Sequence, residues 1–236
     1  MPRRPRFVSR LGVADVVTAT NAGIGFLAAA IAPAAPAFAA RLILLAAVAD
    51  GLDGVLAART GSTPVGEFLD SLADVASFCV APALVVFDVA RIELGLSLGD
   101  STPALALALV IPMIFVVTGV IRLGFYTADD IERERTEGAQ TTLAATVLAA
   151  AFLAGVRWPA ILLAMTLVFA GLMLAPVEYP DLRVRDALVM GIVQAGAILV
   201  PNAVFSLFPR VLCVAALAYL VLSPAYYRQA GEGKRT

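Results

Sequence analysis

The chain contains no histidine and only two cysteines in 236 residues. Without histidine there is no imidazole to bind zinc. Cys79 and Cys213 stand far apart in apolar stretches, so we interpret both as packing residues and expect no disulfide. Charged residues are also scarce, at 15% of the sequence against 61% hydrophobic residues. This composition excludes a soluble globular domain and predicts a membrane protein. We expect no nucleic-acid partner.

Long apolar runs predict an all-α, polytopic membrane fold with about eight transmembrane helices. We expect one domain covering residues 1–236, with a basic arm at 1–11 and a tail at 226–236. The predicted spans cover approximately 12–33, 37–59, 64–89, 103–127, 139–156, 158–176, 184–200 and 203–225.

Basic residues predict the orientation of these spans. If all of the spans cross the membrane, the arginines and lysines near their ends fall on one side, which the positive-inside rule makes cytoplasmic. We therefore expect a multi-pass protein of the cytoplasmic membrane with both termini inside the cell. The residues concerned are Arg3, Arg4, Arg6, Arg10, Arg59, Arg133, Arg135, Arg183, Arg185, Arg228, Lys234 and Arg235.

Four aspartates interrupt two of the predicted spans. Asp50 and Asp53 are three residues apart, and Asp70 and Asp74 are four apart, so each pair lies on one face of its helix. A carboxylate at membrane depth costs several kcal/mol and usually faces a cavity, a partner or an ion path. The four aspartates therefore mark the predicted active site, which opens to the cytoplasm.

The two aspartate helices are joined by a short turn and should form an antiparallel hairpin. In that turn we expect Thr63 to cap the next helix and Pro64 to take its first position. At about 1.5 Å per residue, one aspartate of each pair lies roughly 9 Å from the turn and the other roughly 14 Å. The two pairs should therefore meet at matching depths.

Carboxylates this close need cations. Two unit charges about 4 Å apart repel by roughly 4 kcal/mol at an effective dielectric of 20. An all-oxygen donor set favours hard ions, so we predict two Mg²⁺ or Mn²⁺ ions, with Ca²⁺ as a further candidate. Gly51, Gly54 and Ala57 leave the first aspartate helix without bulk, so a nucleotide or another helix can approach closely.

This pattern resembles the signature of the CDP-alcohol phosphotransferases, Asp-x-x-Asp-Gly-x-x-Ala-Arg, a spacer, then Gly-x-x-x-Asp-x-x-x-Asp. The family's arginine position holds Ala58, with Arg59 following it, and the spacer is correspondingly shorter. The matching positions are Asp50, Asp53, Gly54, Ala57, Gly66, Asp70 and Asp74.

Three further features look like the phosphatidylserine synthase branch of that family. They are the residues that follow Asp70, the pair Arg122-Leu123, and the segment 137–142. The last lacks the glycine-proline motif of bacterial members and looks more like archaeal relatives, whose lipid substrate is CDP-archaeol. The resemblance thus implies transfer from CDP-archaeol or CDP-diacylglycerol to the hydroxyl of L-serine with release of CMP, in a protein expected to be a homodimer.

The resemblance also implies roles for individual residues. Asp74 would be a metal ligand and the general base. The implied metal ligands are Asp50, Asp53, Asp70 and Asp74. The implied nucleotide contacts are Thr18, Asn21, Asp50, Asp53, Gly54, Ala57, Arg59 and Gly66. The implied acceptor contacts are Arg122, Glu137 and Gln140.

Some of these assignments have structural alternatives. Thr18 and Asn21, one turn apart, are as well explained by hydrogen bonds between helices. Arg122 stands near a helix end, from which an arginine can reach the membrane interface instead of the site. These alternatives stay open on the sequence alone.

Two rival functions remain. One is the same chemistry with a phosphorylated acceptor, glycerol phosphate or inositol phosphate, which would require more basic residues near the cleft than Arg59 and Arg122. The other is a cation transporter, which often shows matching broken helices in two halves. Here the acidic cluster occurs once, so the enzyme is the favoured interpretation.

Overall fold

The structure, a computed structural model, describes residues 11–61, 63–130, 135–180 and 184–232. These residues form helices and one small sheet. The helices are α1 (Val13–Ile31), α2 (Pro36–Thr60), α3 (Gly66–Asp74), α4 (Ala81–Glu93), α5 (Pro103–Phe125), α6 (Thr141–Leu153), α7 (Pro159–Met173), α8 (Val184–Leu199) and α9 (Leu207–Glu232).

Helices α1 and α2 form the most extensive helix pair in the molecule. The residues buried between α1, α2 and their neighbours include Ala28, Ala39 and Ala40, which have no exposed surface. Such small side chains let two helix backbones approach closely, which is how membrane helices pack without a hydrophobic driving force. The pair therefore holds α1 tightly against the first aspartate helix.

Helices α3 and α4 are joined by a π-helical stretch, Val75–Val80, into one continuous rod. The π-helical stretch begins directly after Asp74, and such widened turns often lie at functional sites. Its Ser77 hydroxyl donates to the Asn21 carbonyl of α1 at 2.9 Å. A Cβ on Gly25 would lie 2.4 Å from the Ser77 Oγ, so glycine permits the close contact of α1 with the rod.

Two short strands, which the sequence did not predict, form an antiparallel sheet beside the start of α6. Strand β1 (Arg135–Glu137) pairs with β2 (Glu178–Pro180), and Glu137 stands opposite Glu178. The chain then turns at Gly138, whose φ is +79°. The sheet and this turn fix where α6 begins, beside the end of α7.

Among the residues that the structure describes, three helical stretches are long and apolar enough to cross a membrane, by length and composition: Val13–Ile31, Gly66–Glu93 and Pro103–Ala128. The predicted all-α membrane fold is therefore supported, apart from the small sheet. The described residues form eight helical segments when α3 and α4 are counted as one rod. That all eight cross the membrane stays a prediction.

The predicted orientation rests largely on residues outside those that the structure describes. The arginines of the terminal arm and four of the other eight basic residues fall there, so the cytoplasmic termini and the single domain over 1–236 stay predictions. The residues concerned are Arg3, Arg4, Arg6, Arg10, Arg133, Arg183, Lys234 and Arg235.

Candidate functional site

Three aspartates from two helices converge at the centre of the site. One carboxylate oxygen each from Asp50, Asp70 and Asp74 lies within 4.8 Å of the other two. Asp50 comes from α2, and the other two come from α3. The carboxyl groups of Asp50 and Asp74 lie close enough to interact directly with each other. The helical hairpin thus places these two residues at the same depth, as the spacing predicted.

The donor set fits a hard divalent cation. All three groups are carboxylates, and oxygen is the ligand atom that Mg²⁺, Mn²⁺ and Ca²⁺ prefer. One oxygen of Asp74 is buried without a hydrogen-bond partner, which leaves it available as a ligand. The arrangement can hold a cation, although it does not distinguish between these ions.

Asp53 stands beside the cluster and is not one of the three converging groups. Its carboxylate accepts a hydrogen bond of 2.6 Å from the Thr18 hydroxyl of α1. Its charge nevertheless interacts with those of Asp50 and Asp70. The structure therefore brings together three of the four predicted ligands and places the fourth at their edge.

Thr18 has a different environment from the one expected of a nucleotide contact. Its side chain is only 5% exposed, and its hydroxyl contacts Asp53 and the carbonyl oxygen of Ala14. Of the two sequence interpretations, hydrogen bonding between helices is the one that the structure supports for Thr18. Asn21 differs, since its side chain is fully buried and neither amide atom has a hydrogen-bond partner in the described structure.

Thr142 is a site residue that the sequence analysis missed. It is the second residue of α6, and its hydroxyl donates to the Asp50 carboxylate. The sequence signal was the polar pair Thr141-Thr142 at the start of an otherwise apolar helix. The spacing of the aspartates alone could not reveal that this helix reaches the cluster.

Arg122 is buried on α5, with 8% of its side chain exposed. Its charge interacts with that of Asp74, and its guanidinium carbon lies 5.1 Å from the centre of the Tyr126 ring. An arginine that reached for the membrane interface would be exposed, so the site position is the better description. The other two acceptor candidates are farther out, Glu137 exposed on β1 and Gln140 half-buried just before α6.

One face of α2 beside the aspartates is open. A Cβ added at Gly51 or Gly54 would meet no atom within 4 Å. Ala57 is half-buried one turn later, and Arg59 is exposed near the end of the helix. No helix fills this space in the part of the chain that the structure describes, so it has room for a substrate.

Gly66 makes room for an acidic side chain that the sequence analysis did not place in the site. A Cβ on Gly66 would lie 3.3 Å from a carboxylate oxygen of Asp15. Asp15 is 3% exposed and accepts hydrogen bonds from the Gly12 amide at 2.8 Å and from the Thr63 hydroxyl at 2.9 Å. Gly66 thus serves the contact between α1 and the turn, and its contact with the nucleotide stays a prediction.

The predicted start of the second aspartate helix was wrong. Helix α3 begins at Gly66 after Val65, and no side chain caps it. Thr63 donates its hydroxyl to Asp15 instead of capping α3, and Pro64 stands before the helix. The prediction failed because the partner of Thr63 comes from a distant helix.

A family model described as CDP-alcohol phosphatidyltransferase matches residues 11–175, a region that contains the whole aspartate cluster. The chain belongs to this family. As a CDP-alcohol phosphatidyltransferase, it is a transferase that moves a phosphatidyl-type group to an alcohol, and the family uses divalent cations. The resemblance seen in the sequence is thereby confirmed.

A relative is similar to this CDP-alcohol phosphatidyltransferase beyond the aspartate hairpin. The archaetidylserine synthase of Methanothermobacter thermautotrophicus is 27% identical over 179 residues, which cover 74% of this chain and 72% of the relative. The similarity therefore extends over most of both proteins.

Proposed function

We propose that the protein transfers the phosphatidyl-type group of CDP-archaeol or CDP-diacylglycerol to the hydroxyl of L-serine and releases CMP. The observation that carries the serine assignment is the position of Arg122, a buried cation beside Asp74. A guanidinium can bind the carboxylate of an amino acid through paired hydrogen bonds. The name of the relative, archaetidylserine synthase, agrees with this assignment.

Asp50, Asp70 and Asp74 would hold divalent cations, Mg²⁺ or Mn²⁺, with Asp53 completing the set from its adjacent position. When bound, the cations would neutralise the negative charge of the pyrophosphate. Asp53 and Asp50 also face the region where the nucleotide phosphates would lie. Four carboxylates suffice to balance two such ions.

Asp74 is the proposed general base. It takes the proton of the serine hydroxyl as that oxygen forms a bond to the β-phosphorus. The bond from the β-phosphorus to the oxygen bridging the two phosphates breaks, and CMP leaves with that oxygen. One phosphate stays on the lipid. Arg122, close to Asp74, holds the serine carboxylate so that the hydroxyl faces the base.

The open face of α2 is the proposed nucleotide site. Gly54 and Ala57 give the cytidine and pyrophosphate room. Arg59 is exposed two residues after Ala57 and would be a further nucleotide contact. Asn21 has a donor and an acceptor without a hydrogen-bond partner, but its side chain is fully buried, so a contact with the nucleotide would require α1 to expose it when the substrate binds. The reaction takes place at the cytoplasmic side of the cell membrane, where CDP-lipid and serine meet, in a protein that we expect to be a homodimer.

Release of CMP by the purified protein tests this function. The protein receives CDP-archaeol or CDP-diacylglycerol with Mn²⁺ or Mg²⁺, and L-serine, glycerol phosphate or inositol phosphate as acceptor. We expect release that depends on serine. Release only with a phosphorylated acceptor would overturn the serine assignment and keep the family chemistry, whereas cation movement without CMP release would favour a transporter.

A further inference from the structure

We propose that Thr18 and Thr142 are positioning residues, which hold the carboxylates of Asp53 and Asp50 in the orientation that binds cations. The two threonines come from helices outside the aspartate hairpin, α1 and α6, and each donates to one member of the first aspartate pair. The inference rests on the proposed function only in taking these aspartates as cation ligands.

The contact of Thr18 with Asp53 is short and shielded from water. The hydroxyl lies 2.6 Å from the carboxylate, and the two residues are 5% and 6% exposed. The same hydroxyl lies farther, at 3.1 Å, from the carbonyl oxygen of Ala14. A hydroxyl has one proton, so its main partner is the closer and charged Asp53, and little water competes for it.

The position of Thr18 is fixed by its neighbour on the same helical face. Asp15 precedes it by three residues and joins the start of α1 to the turn between the aspartate helices through Thr63. Asp15 also accepts from the amide of Gly12 at the start of α1. Helix α1 is therefore held in register with the hairpin, and Thr18 stays opposite Asp53.

The position of Thr142 is fixed by the backbone before α6. The Gly138 amide donates to the Val177 carbonyl oxygen, and the Ala139 amide donates to that of Leu172, both at 2.9 Å. A Cβ on Gly138 would lie 2.2 Å from the Met173 carbonyl oxygen, so this turn is in direct contact with the end of α7. The start of α6 is thus anchored to the end of α7, which keeps Thr142 beside Asp50.

Each hydroxyl occupies one lone pair of its carboxylate and restricts rotation of the side chain. The remaining lone pairs of Asp50 and Asp53 are then directed before a cation arrives. Hydrogen-bond partners behind a metal ligand typically contribute 10–100-fold to metal affinity or activity. The two threonines would therefore act on cation affinity, without touching either substrate.

Direct Mn²⁺ binding, measured by electron paramagnetic resonance on the purified protein without substrate, tests the proposal. We expect Thr18→Val and Thr142→Val to weaken Mn²⁺ binding by about 10–100-fold, because valine keeps the shape and removes the donor. Thr18→Ser and Thr142→Ser keep the hydroxyl and should restore affinity to near the unaltered value. In activity assays the valine variants should need more Mn²⁺ while keeping their KM for CDP-lipid and serine at saturating Mn²⁺.

Thr20→Val is the matched control. Thr20 lies on the same helix, is exposed, and donates to the Val16 carbonyl oxygen of its own helix. Its substitution should leave Mn²⁺ binding unchanged. If Thr18→Val unfolds at a lower temperature than the unaltered protein, the Mn²⁺ affinities of Thr18→Cys and Thr18→Ser are compared instead, because these two side chains differ less from each other.

Unchanged Mn²⁺ affinity in the valine variants would overturn the proposal. With unchanged affinity, a raised KM for CDP-lipid in Thr18→Val would instead make Thr18 a nucleotide contact, and a raised KM for serine in Thr142→Val would make Thr142 an acceptor contact. Weakened Mn²⁺ binding in a protein that releases no CMP would uphold this inference and refute the proposed function, so the two failures are distinguishable.

Discussion

Single residues carry the chemistry of this protein because charge is scarce elsewhere in its apolar helices. Burying a carboxylate without a partner is expensive, so three carboxylates within 4.8 Å of one another require an opposite charge. The nearby Arg122 and the proposed cations supply that charge, and hydroxyl donors stabilise the carboxylates further. Substitutions of its individual members should therefore have separable effects.

Replacing Asp74 with asparagine should remove the base while keeping the size of the side chain. We expect kcat to fall by about 10²–10⁴-fold, the contribution typical of general acid–base catalysis. CMP release at saturating serine measures this. Asp88→Asn is the control, because Asp88 is also a buried aspartate of the same rod but pairs with Arg91. A kcat for Asp74→Asn close to that of the control would contradict the assignment.

Replacing Arg122 with lysine should keep the positive charge and lose the paired hydrogen-bond geometry. We expect the KM for serine to rise by about tenfold or more, because one strong charged hydrogen bond contributes roughly 1.5–3 kcal/mol. The KM for CDP-lipid should hardly change. Arg91→Lys, at a half-buried arginine on α4, controls for the substitution itself. An equal rise in both KM values would speak against an acceptor contact.

At this scale the sequence predicted that aspartates of the two helices meet, and it did not identify their hydrogen-bond partners. The spacing of Asp50 and Asp74 follows from helix geometry alone, so it could be derived. The partners Thr18 and Thr142 come from helices far away in the chain, and a single sequence does not record such tertiary contacts. The contact of Thr18 with Asp53, at the edge of the cluster, could not be derived from the spacing for the same reason, and the set of four metal ligands stays a prediction.

At the level of helices and strands, the hairpin of α2 and α3 could be predicted from local sequence. The elements packed around it could not. Two apolar segments joined by a short turn dictate antiparallel helices. The sheet of β1 and β2, by contrast, pairs segments about 40 residues apart, and its strands are three residues each. A strand of three residues is too short to show the alternation of apolar and polar residues that predicts a strand, so this sheet could not be predicted.

The turn before α6 should be sensitive to substitution at Gly138. Gly138→Ala combines a positive φ with a Cβ 2.2 Å from a backbone oxygen. We expect a loss of about 2–4 kcal/mol in the free energy of unfolding, from strain and overpacking together. Unfolding in detergent micelles, followed by circular dichroism, measures the loss.

Gly155→Ala separates the two causes. Gly155 has a φ of +104°, and a Cβ there would meet no atom within 4 Å. It should therefore show only the backbone strain, about 1–2 kcal/mol. A loss at Gly138 no larger than at Gly155 would mean that α6 is not anchored to α7 in the way described.

For the whole molecule, composition predicted a helical membrane protein, whereas the number of crossings depends on the lengths of the individual helices. The four C-terminal helices, α6 to α9, include shorter apolar stretches, and length alone does not fix how a short helix lies in a bilayer. Arg41 contacts the Ile198 carbonyl oxygen and Gln194 contacts that of Leu44, which joins α8 to α2. These contacts tie the C-terminal part of the chain to the site-bearing hairpin.

Cysteine labelling in intact cells tests the orientation. Thr60 lies at the end of the aspartate hairpin and Leu98 lies in the turn after α4, at the other end of the rod, and both are exposed. A membrane-impermeant maleimide should label Leu98→Cys in intact cells and Thr60→Cys only after permeabilisation. The native Cys79 is buried and Cys213 is half-buried, so background labelling should be low. The reverse pattern would place the site outside the cytoplasm.

In the proposed mechanism the serine hydroxyl attacks the phosphorus that stays on the lipid. Serine labelled with ¹⁸O in its hydroxyl, given with CDP-lipid and Mn²⁺, tests this by mass spectrometry of both products. The proposed mechanism predicts that the label appears in the phosphodiester of the lipid product and that CMP is unlabelled. A serine lipid without the label, or label in CMP, would contradict it.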